Sequence, residues 1–167
     1  MIYRQFGKTG LQMSVLTFGA MRSMQTWNNR ELIHIPEQSQ LNLEAILEKA
    51  FSHGINHIET AHGYGSSEQQ LGLALSKHKR KDYLLQTKVS PYEDPEQFRH
   101  RFLDSLRLLK TEYVDMLAIH GINNFKSLWH SCRKGGCLEM ARKLQKEGRV
   151  NHIGFSGHGP CDVIMEA

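Results

Sequence analysis

Apolar positions along this chain fall into two alternating patterns, and the switches between them lay out its elements. Short apolar runs stand at VLTFGAM (15–21), at residues 55–60, at YLLQTKV (83–89), at VDMLAIH (114–120) and at VNHIGFSG (150–157). Runs of that length bounded by turn residues read as strands. Between them the period lengthens. Residues 38–53 carry Leu43, Ile46, Leu47, Ala50 and Phe51 at helical spacing, and Gly54 follows as a stop. Ser66 or Ser67 can cap a helix running to about Lys79, with Leu71 and Leu75 on one face. Asp94 followed by Pro95 is a strong helix start, and Phe98, Phe102, Leu106 and Leu109 mark the buried stripe behind it. CLEMARKLQKEG (137–148) makes another amphipathic helix, and Pro160 opens a last one over CDVIMEA. Ahead of all this, residues 2–14 read as two short strands around a turn at Lys8, Thr9 and Gly10, and Arg22 to Pro36 reads as a loop.

Strands alternating with helices argue a parallel α/β sheet. In such folds the carboxyl ends of the strands share one face, and chemistry is built there. Four residues able to handle protons, Glu59, Tyr64, Lys88 and His120, lie at or just past the downstream ends of three successive predicted strands. A lone Lys or Tyr is usually structural. Four in phase with the strand pattern form a candidate active site.

Composition narrows the classes. At 167 residues the chain is one domain in size and can bury a core, whereas a complete eightfold barrel takes about 250. Lys and Arg exceed Asp and Glu by 21 to 17, a formal charge of +4. The basic residues are dispersed apart from KHKRK (77–81), which reads as a solvated helix end, so no nucleic-acid partner is expected. Three cysteines, Cys132, Cys137 and Cys161, show no disulfide-framework spacing. Together with His130 and His158 they match no zinc pattern, so no metal site is expected, and Cys137 is expected to begin a helix and pack. The start MIYRQFGKTG lacks the apolar core of a signal peptide, and no apolar run approaches a membrane span. A soluble, cytoplasmic protein without a membrane partner is the expectation.

FGKTGLQMS with FGAM, GINHIETAHGYGSSEQQLGLAL (54–75), LLQTKV (84–89), SLRLLKTEYVDMLAIHG (105–121) and GRVNHIGFSGHG (148–159) together resemble the aldo-keto reductases from Tyr3 onward. The wording around HGIN and RKGGCLEMARKLQKEGR resembles the branch whose longer members end in a ferredoxin-like region with iron–sulfur clusters, although the cluster cysteines are absent here. The resemblance implies a (β/α)8 TIM-barrel type of fold. Residues 1–167 would supply only the first five or so βα units, preceded by the β-hairpin, as a partial domain truncated at its C-terminus. It implies NADPH as cofactor and a small-molecule carbonyl substrate. Residue by residue, Tyr64 matches the family's acid/base, Lys88 the lysine beside it and His120 the histidine near the carbonyl. Glu59 stands where most of the family has Asp. For the cofactor, Ser156 matches a position near the nicotinamide carboxamide, and Gly19 with Met21 lies on the expected ribose path. Gly157 replaces the family's usual Asn.

These residue types suit the implied chemistry. Hydride addition to a carbonyl leaves an alkoxide, which a phenol can protonate if its ordinary pKa of about 10 is lowered. An ammonium nearby favours phenolate, so Lys88 is expected to tune Tyr64 downward. A carboxylate at Glu59 would hold that lysine and compensate its charge. His120 can donate a hydrogen bond to the developing oxyanion or relay its proton, and His62 is expected on the pocket rim. Two other readings share the sequence: a truncated, inactive product that associates with a complementary C-terminal fragment, and a regulatory subunit that senses NADPH.

Overall fold

The computed structural model describes residues 1–27 and 34–167, so residues 28–33 of the expected 22–36 loop lie outside the described residues. The chain begins with an antiparallel hairpin, β1 (Tyr3–Gln5) and β2 (Gln12–Ser14), in the register Tyr3↔Ser14. Its turn works because Gly7 and Gly10 both take positive φ, at 54° and 78°, which few other residues adopt without strain. The hairpin does not sit over the strand ends that carry the candidate site. Tyr3 donates to the Gly54 carbonyl at 2.7 Å, and Ser14 N donates to Asn56 Oδ1 at 2.8 Å, so it covers the amino-terminal end of the sheet.

Five parallel strands follow, β3 (Phe18–Gly19), β4 (His57–Glu59), β5 (Leu84–Val89), β6 (Val114–His120) and β7 (Val150–Ser156), hydrogen-bonded in sequence order. Helices α1 (Glu37–Ser52), α2 (Ser67–Leu75), α3 (Pro95–Leu108), α4 (Phe125–Cys132), α5 (Cys137–Lys146) and α6 (Cys161–Glu166) connect or follow them. Because side chains alternate across a strand, one sheet face carries Ile58, Leu85 and Leu117. Leu43, Leu47, Leu71, Phe98, Phe102 and Leu144 from the helices bury against that layer in one core. Each such side chain contributes about 1.5–3 kcal/mol by leaving water. The opposite face carries Glu59, Lys88, His120 and Ser156, and the barrel-type fold makes it the inner wall.

Several expectations change in detail. VLTFGAM forms a strand only at Phe18–Gly19, Val15 and Leu16 are 52% and 59% exposed, and Ala20–Ser23 is a 3₁₀ turn. The cause is that β3 has a neighbour on one side only. The helix expected to reach Lys79 stops at Leu75, since Arg80 is drawn down to the sheet. Its guanidinium meets Asp115 Oδ2 at 2.6 Å, donates to the Tyr83 carbonyl at 3.0 Å and stacks 4.1 Å from the Tyr113 ring centre. KHKRK is therefore not merely a solvated helix end. Helix α4 was not expected at all. Asn124 and Ser127 form a reciprocal capping box there, the signal that could have revealed it. Asp94 caps α3 as expected, accepting from Glu96 N at 3.0 Å, and Cys137 is fully buried at the start of α5.

Among the described residues the edges of the five-stranded sheet, β3 and β7, each pair on one side only. Beside β3 an apolar groove runs between Leu16, Phe18, Ile46 and Ile55, and beyond β7 Phe155 is 43% exposed. No helix among the described residues is long and apolar enough to cross a membrane.

Helices α2 and α3 touch at a glycine. A Cβ on Gly72 would lie 2.0 Å from the Leu108 carbonyl oxygen, which is backbone and cannot swing aside. Gly72→Ala should therefore destabilise the fold by about 2 kcal/mol through overpacking, against the roughly 1 kcal/mol gain that the same change brings in an open helix. Urea unfolding of the variant checks the sign.

Candidate active site

Parallel register brings the four expected residues to one end of the sheet. Glu59 closes β4 and pairs with Gln86, so its side chain lies beside that of Lys88 further along β5. Lys88 Nζ and Glu59 Oε1 form a direct ion pair, and the ammonium also donates to the Thr60 carbonyl at 3.1 Å. The Lys88 side chain is only 7% exposed, so both partners are needed to hold its charge there. The next segment, Thr60 to Ser66, leaves β4 and folds over this pair. Thr60 N donates to the Gln86 carbonyl and His62 N to the Lys88 carbonyl, at 3.0 and 2.8 Å. Tyr64 is thereby set with its ring centre 4.7 Å from Lys88 Nζ. His120, at the end of β6, meets the Tyr64 ring edge-on, with centres 5.7 Å apart and planes at 88°.

Burial pushes the Lys88 ammonium down to about 8, and the touching Glu59 carboxylate works against that shift by favouring the charged form. Burial raises the Tyr64 phenol above its ordinary value. The expected net downward shift is thus not found: the ammonium lies against the ring, and burial outweighs the pull toward phenolate that the cation exerts. His120 falls to about 4, first through burial and then through the charges of Lys88 and His158. At neutral pH it is an uncharged imidazole, a hydrogen-bond donor rather than a proton source.

The residues expected along the cofactor flank this group. Gly19 pairs with Glu59 in register, and a Cβ on it would stand 3.6 Å from Glu59 Oε2. Met21 is half-buried in the 3₁₀ turn beyond it. Ser156 ends β7 opposite His120. Its carbonyl accepts from the amides of Gly121 and Ile122, both at 2.9 Å, while its Oγ is buried with no hydrogen-bond partner among the described residues. That orphaned hydroxyl fits a ligand amide arriving beside His120. Gly157 has a steric reason: a Cβ there would lie 2.6 Å from the Ile122 carbonyl oxygen. The depression around His120 is further lined by Ser90, Pro91, Asn123 and Ser127.

One expected position moves. His62 does not face the pocket rim. Its Nδ1 points into the helix layer, 3.2 Å from Ser105 Oγ on α3 and 3.5 Å from Glu68 Oε2 on α2. Glu68 itself is fully buried, and Thr87 donates to its Oε1 at 2.5 Å. In sequence Glu68 reads as an ordinary acid in a first helical turn, and only the absence of a solvent-facing position distinguishes it. Among the described residues no group of three or more His, Cys, Asp and Glu could hold a metal ion.

The model of the Aldo/keto reductase family matches residues 15–167. The chain belongs to that family. It is 31% identical to L-galactose dehydrogenase of Arabidopsis thaliana over 96% of its own length and 50% of the plant enzyme's. Against D-arabinose 1-dehydrogenase of Saccharomyces cerevisiae it is 33% identical over 77% of this chain and 40% of the yeast enzyme. The chain thus spans about half the length of these relatives. Among solved structures, the holo form of an aldo-keto reductase from Bacillus halodurans superposes with a TM-score of 0.79 at 27% identity, over 99% of this chain and 53% of that one. An aldo-keto reductase from Klebsiella pneumoniae, solved with NADP and acetate, has the same fold at 22% identity and a TM-score of 0.74, over 98% of this chain and 52% of that one. The five parallel strands described here are thus part of the barrel-type sheet that members of this family share. Nothing in these comparisons singles out the iron–sulfur branch.

The buried imidazoles fix the sign of a pH effect. His57, held by Thr17 Oγ1 at 2.9 Å, is also pushed down to about 4, chiefly by burial. Between pH 4 and 6.5 the unfolded chain binds more protons at His57 and His120 than the native one does, so stability rises with pH across that window. It is fully present above about 6.5 and is lost as pH falls toward 4. The melting temperature should drop steeply over that range, and His57→Asn should make the drop shallower. Calorimetry at a series of pH values measures both.

Proposed function

We propose that this chain carries the proton-transfer centre of an NADPH-dependent carbonyl reductase, with Tyr64 as the acid that protonates the reduced oxygen. The observation that supports it is the convergence of Glu59, Tyr64, Lys88 and His120 at the carboxyl ends of three adjacent parallel strands. When bound, the nicotinamide supplies a hydride to the carbonyl carbon. The oxygen then takes its proton from the Tyr64 hydroxyl, giving the alcohol and leaving a phenolate beside the Lys88 ammonium. Lys88 stabilises that phenolate, so its contribution grows as the proton leaves, which is how a group lowers a barrier rather than merely binding. Glu59 keeps the ammonium in place. His120, uncharged, donates a hydrogen bond toward the oxygen as negative charge develops on it. Ser156 Oγ would accept or donate to the nicotinamide amide, with Gly19 and Met21 along the ribose.

A second element of this reading follows from the two unpaired sheet edges. Strands β3 and β7 and the apolar groove beside β3 suit further βα units, whether from a longer polypeptide or a complementary fragment. The 167-residue chain by itself is expected to turn over at less than about a hundredth of a complete barrel's rate, because positioning carries so much of the catalysis.

The test combines binding and turnover. NADPH should raise the melting temperature of the purified chain by mass action. Aldehyde-dependent NADPH oxidation, weak as it is expected to be, should fall by a further factor of about 100 or more in Tyr64→Phe. In Lys88→Met the apparent pKa of the acid/base step should rise. Turnover unaffected by loss of the Tyr64 hydroxyl would dismiss Tyr64 as the acid.

A further inference from the structure

The loop that presents Tyr64 is attached to the sheet from both sides, and only one side faces the candidate site. On the far side, in the layer between sheet and helices, stands the Glu68 carboxylate, fully buried at the second residue of α2. Acids occupy the first turns of α3 and α5 as well, Glu96 and Glu139, yet both of those are exposed. Helix-end amides favour an anion in a first turn without any burial. Taking a carboxylate out of water is costly unless it gains partners, so Glu68 calls for more than the helix end.

Its partners belong to two different segments. Oε1 accepts from Thr87 Oγ1 at 2.5 Å, whereas Oε2 has no hydrogen-bond partner among the described residues and lies 3.5 Å from His62 Nδ1, in contact with that ring and an ion pair to it whenever the imidazole is protonated. Thr87 immediately precedes Lys88 on β5, and alternation along the strand sends its side chain to the helix side while Lys88 projects into the site. His62 is two residues before Tyr64, its own backbone amide donates to the Lys88 carbonyl at 2.8 Å, and its ring is backed by Ser105 Oγ at 3.2 Å. The Tyr64 carbonyl accepts from Ser67 N at 3.0 Å, next to Glu68 in α2, and Ser67 Oγ meets Thr60 Oγ1 at 2.9 Å. One carboxylate therefore touches the strand that holds the ammonium and the loop that holds the phenol, from behind both.

We propose that Glu68 is a positioning residue: by joining Thr87 to His62 it fixes how far the Tyr64 ring stands from Lys88 and His120. The proposal rests on the reading of Tyr64 and Lys88 as the reacting pair, but its geometry can be measured without turnover. Tyr64 presents its ring to His120, so the imidazole carbon-bound protons of His120 sense that ring's magnetic anisotropy. Their resonances are assigned by their disappearance in His120→Gln, and Tyr64→Leu gives their position with the ring removed.

The experiment compares these resonances in the native chain, Glu68→Ala, Glu68→Gln and Thr87→Val. In Glu68→Ala and Thr87→Val they should move at least half of the way toward the Tyr64→Leu position, while unfolding remains cooperative. Glu68→Gln keeps an oxygen for Thr87 but loses the charge facing His62, so it should give a smaller displacement in the same direction. A role limited to stability would lower the unfolding midpoint and leave the resonances in place. Native positions in folded Thr87→Val and Glu68→Gln would overturn the proposal. If Glu68→Ala does not fold, those two near-isosteric variants decide. NADPH oxidation that persists in Tyr64→Phe would remove the reductase reading while leaving this measurement intact, because it reports ring placement and not chemistry.

Discussion

A buried ammonium sets the terms for the rest of this site. Lys88 extends from the middle of a parallel sheet into a region where, among the described residues, Glu59, the Thr60 carbonyl and the face of the Tyr64 ring stabilise its charge. Removing one member of such a pair typically costs about 3–5 kcal/mol, far more than an exposed pair is worth. The adjoining strands are therefore constrained together: β4 must end where Glu59 can reach across, and the chain must turn so that the Thr60 carbonyl points inward. Both conditions follow from the parallel register of β4 and β5. The same turn brings Tyr64 against the ammonium.

Glu59 stands where an aspartate is usual in the resembling family, and its surroundings accommodate the extra methylene. Across the register from it is Gly19, where even a methyl group would come within 3.6 Å of the carboxylate. A longer side chain at that position would compete with Glu59 for the same space. The glycine expected along the cofactor path thus also leaves the longer acid room to reach Lys88. Glu59 remains partly exposed at 21%, so the pair is not sealed from solvent.

Most of the fold was legible because periodicity reports burial, and burial decides these elements. The convergence of the four candidate residues was legible for a related reason: strand ends can be read from apolar runs, and parallel strands end on one face. What escaped depends on interactions between segments distant in sequence. Helix α2 ends early because Arg80 is drawn to Asp115, a residue 35 positions away. Val15 and Leu16 looked like strand interior, yet they are 52% and 59% exposed. His62 turned out to face the helices because Glu68 and Ser105 are there, and no local pattern announces that. The direction of the Tyr64 shift escaped for a subtler reason. Its sign depends on whether the ammonium faces the hydroxyl or the ring, and on how much water the loop excludes.

The distribution of the site over the sheet has a consequence for what its edges govern. Glu59, Lys88 and His120 stand on β4, β5 and β6, each of which is paired on both sides, and Tyr64 is stitched to the first two of these. Gly19 and Ser156 stand on β3 and β7, the strands with one free edge each. Parallel strands with an unpaired side lose the backbone bonds and apolar cover that hold their register. The geometry proposed for proton transfer is therefore enclosed within the three inner strands, whereas the proposed cofactor contacts lie on the two strands whose placement depends on what pairs next to them. In the proposed reaction, completing the sheet would act first on how the nicotinamide is held, and only through that on the rate of proton transfer from Tyr64.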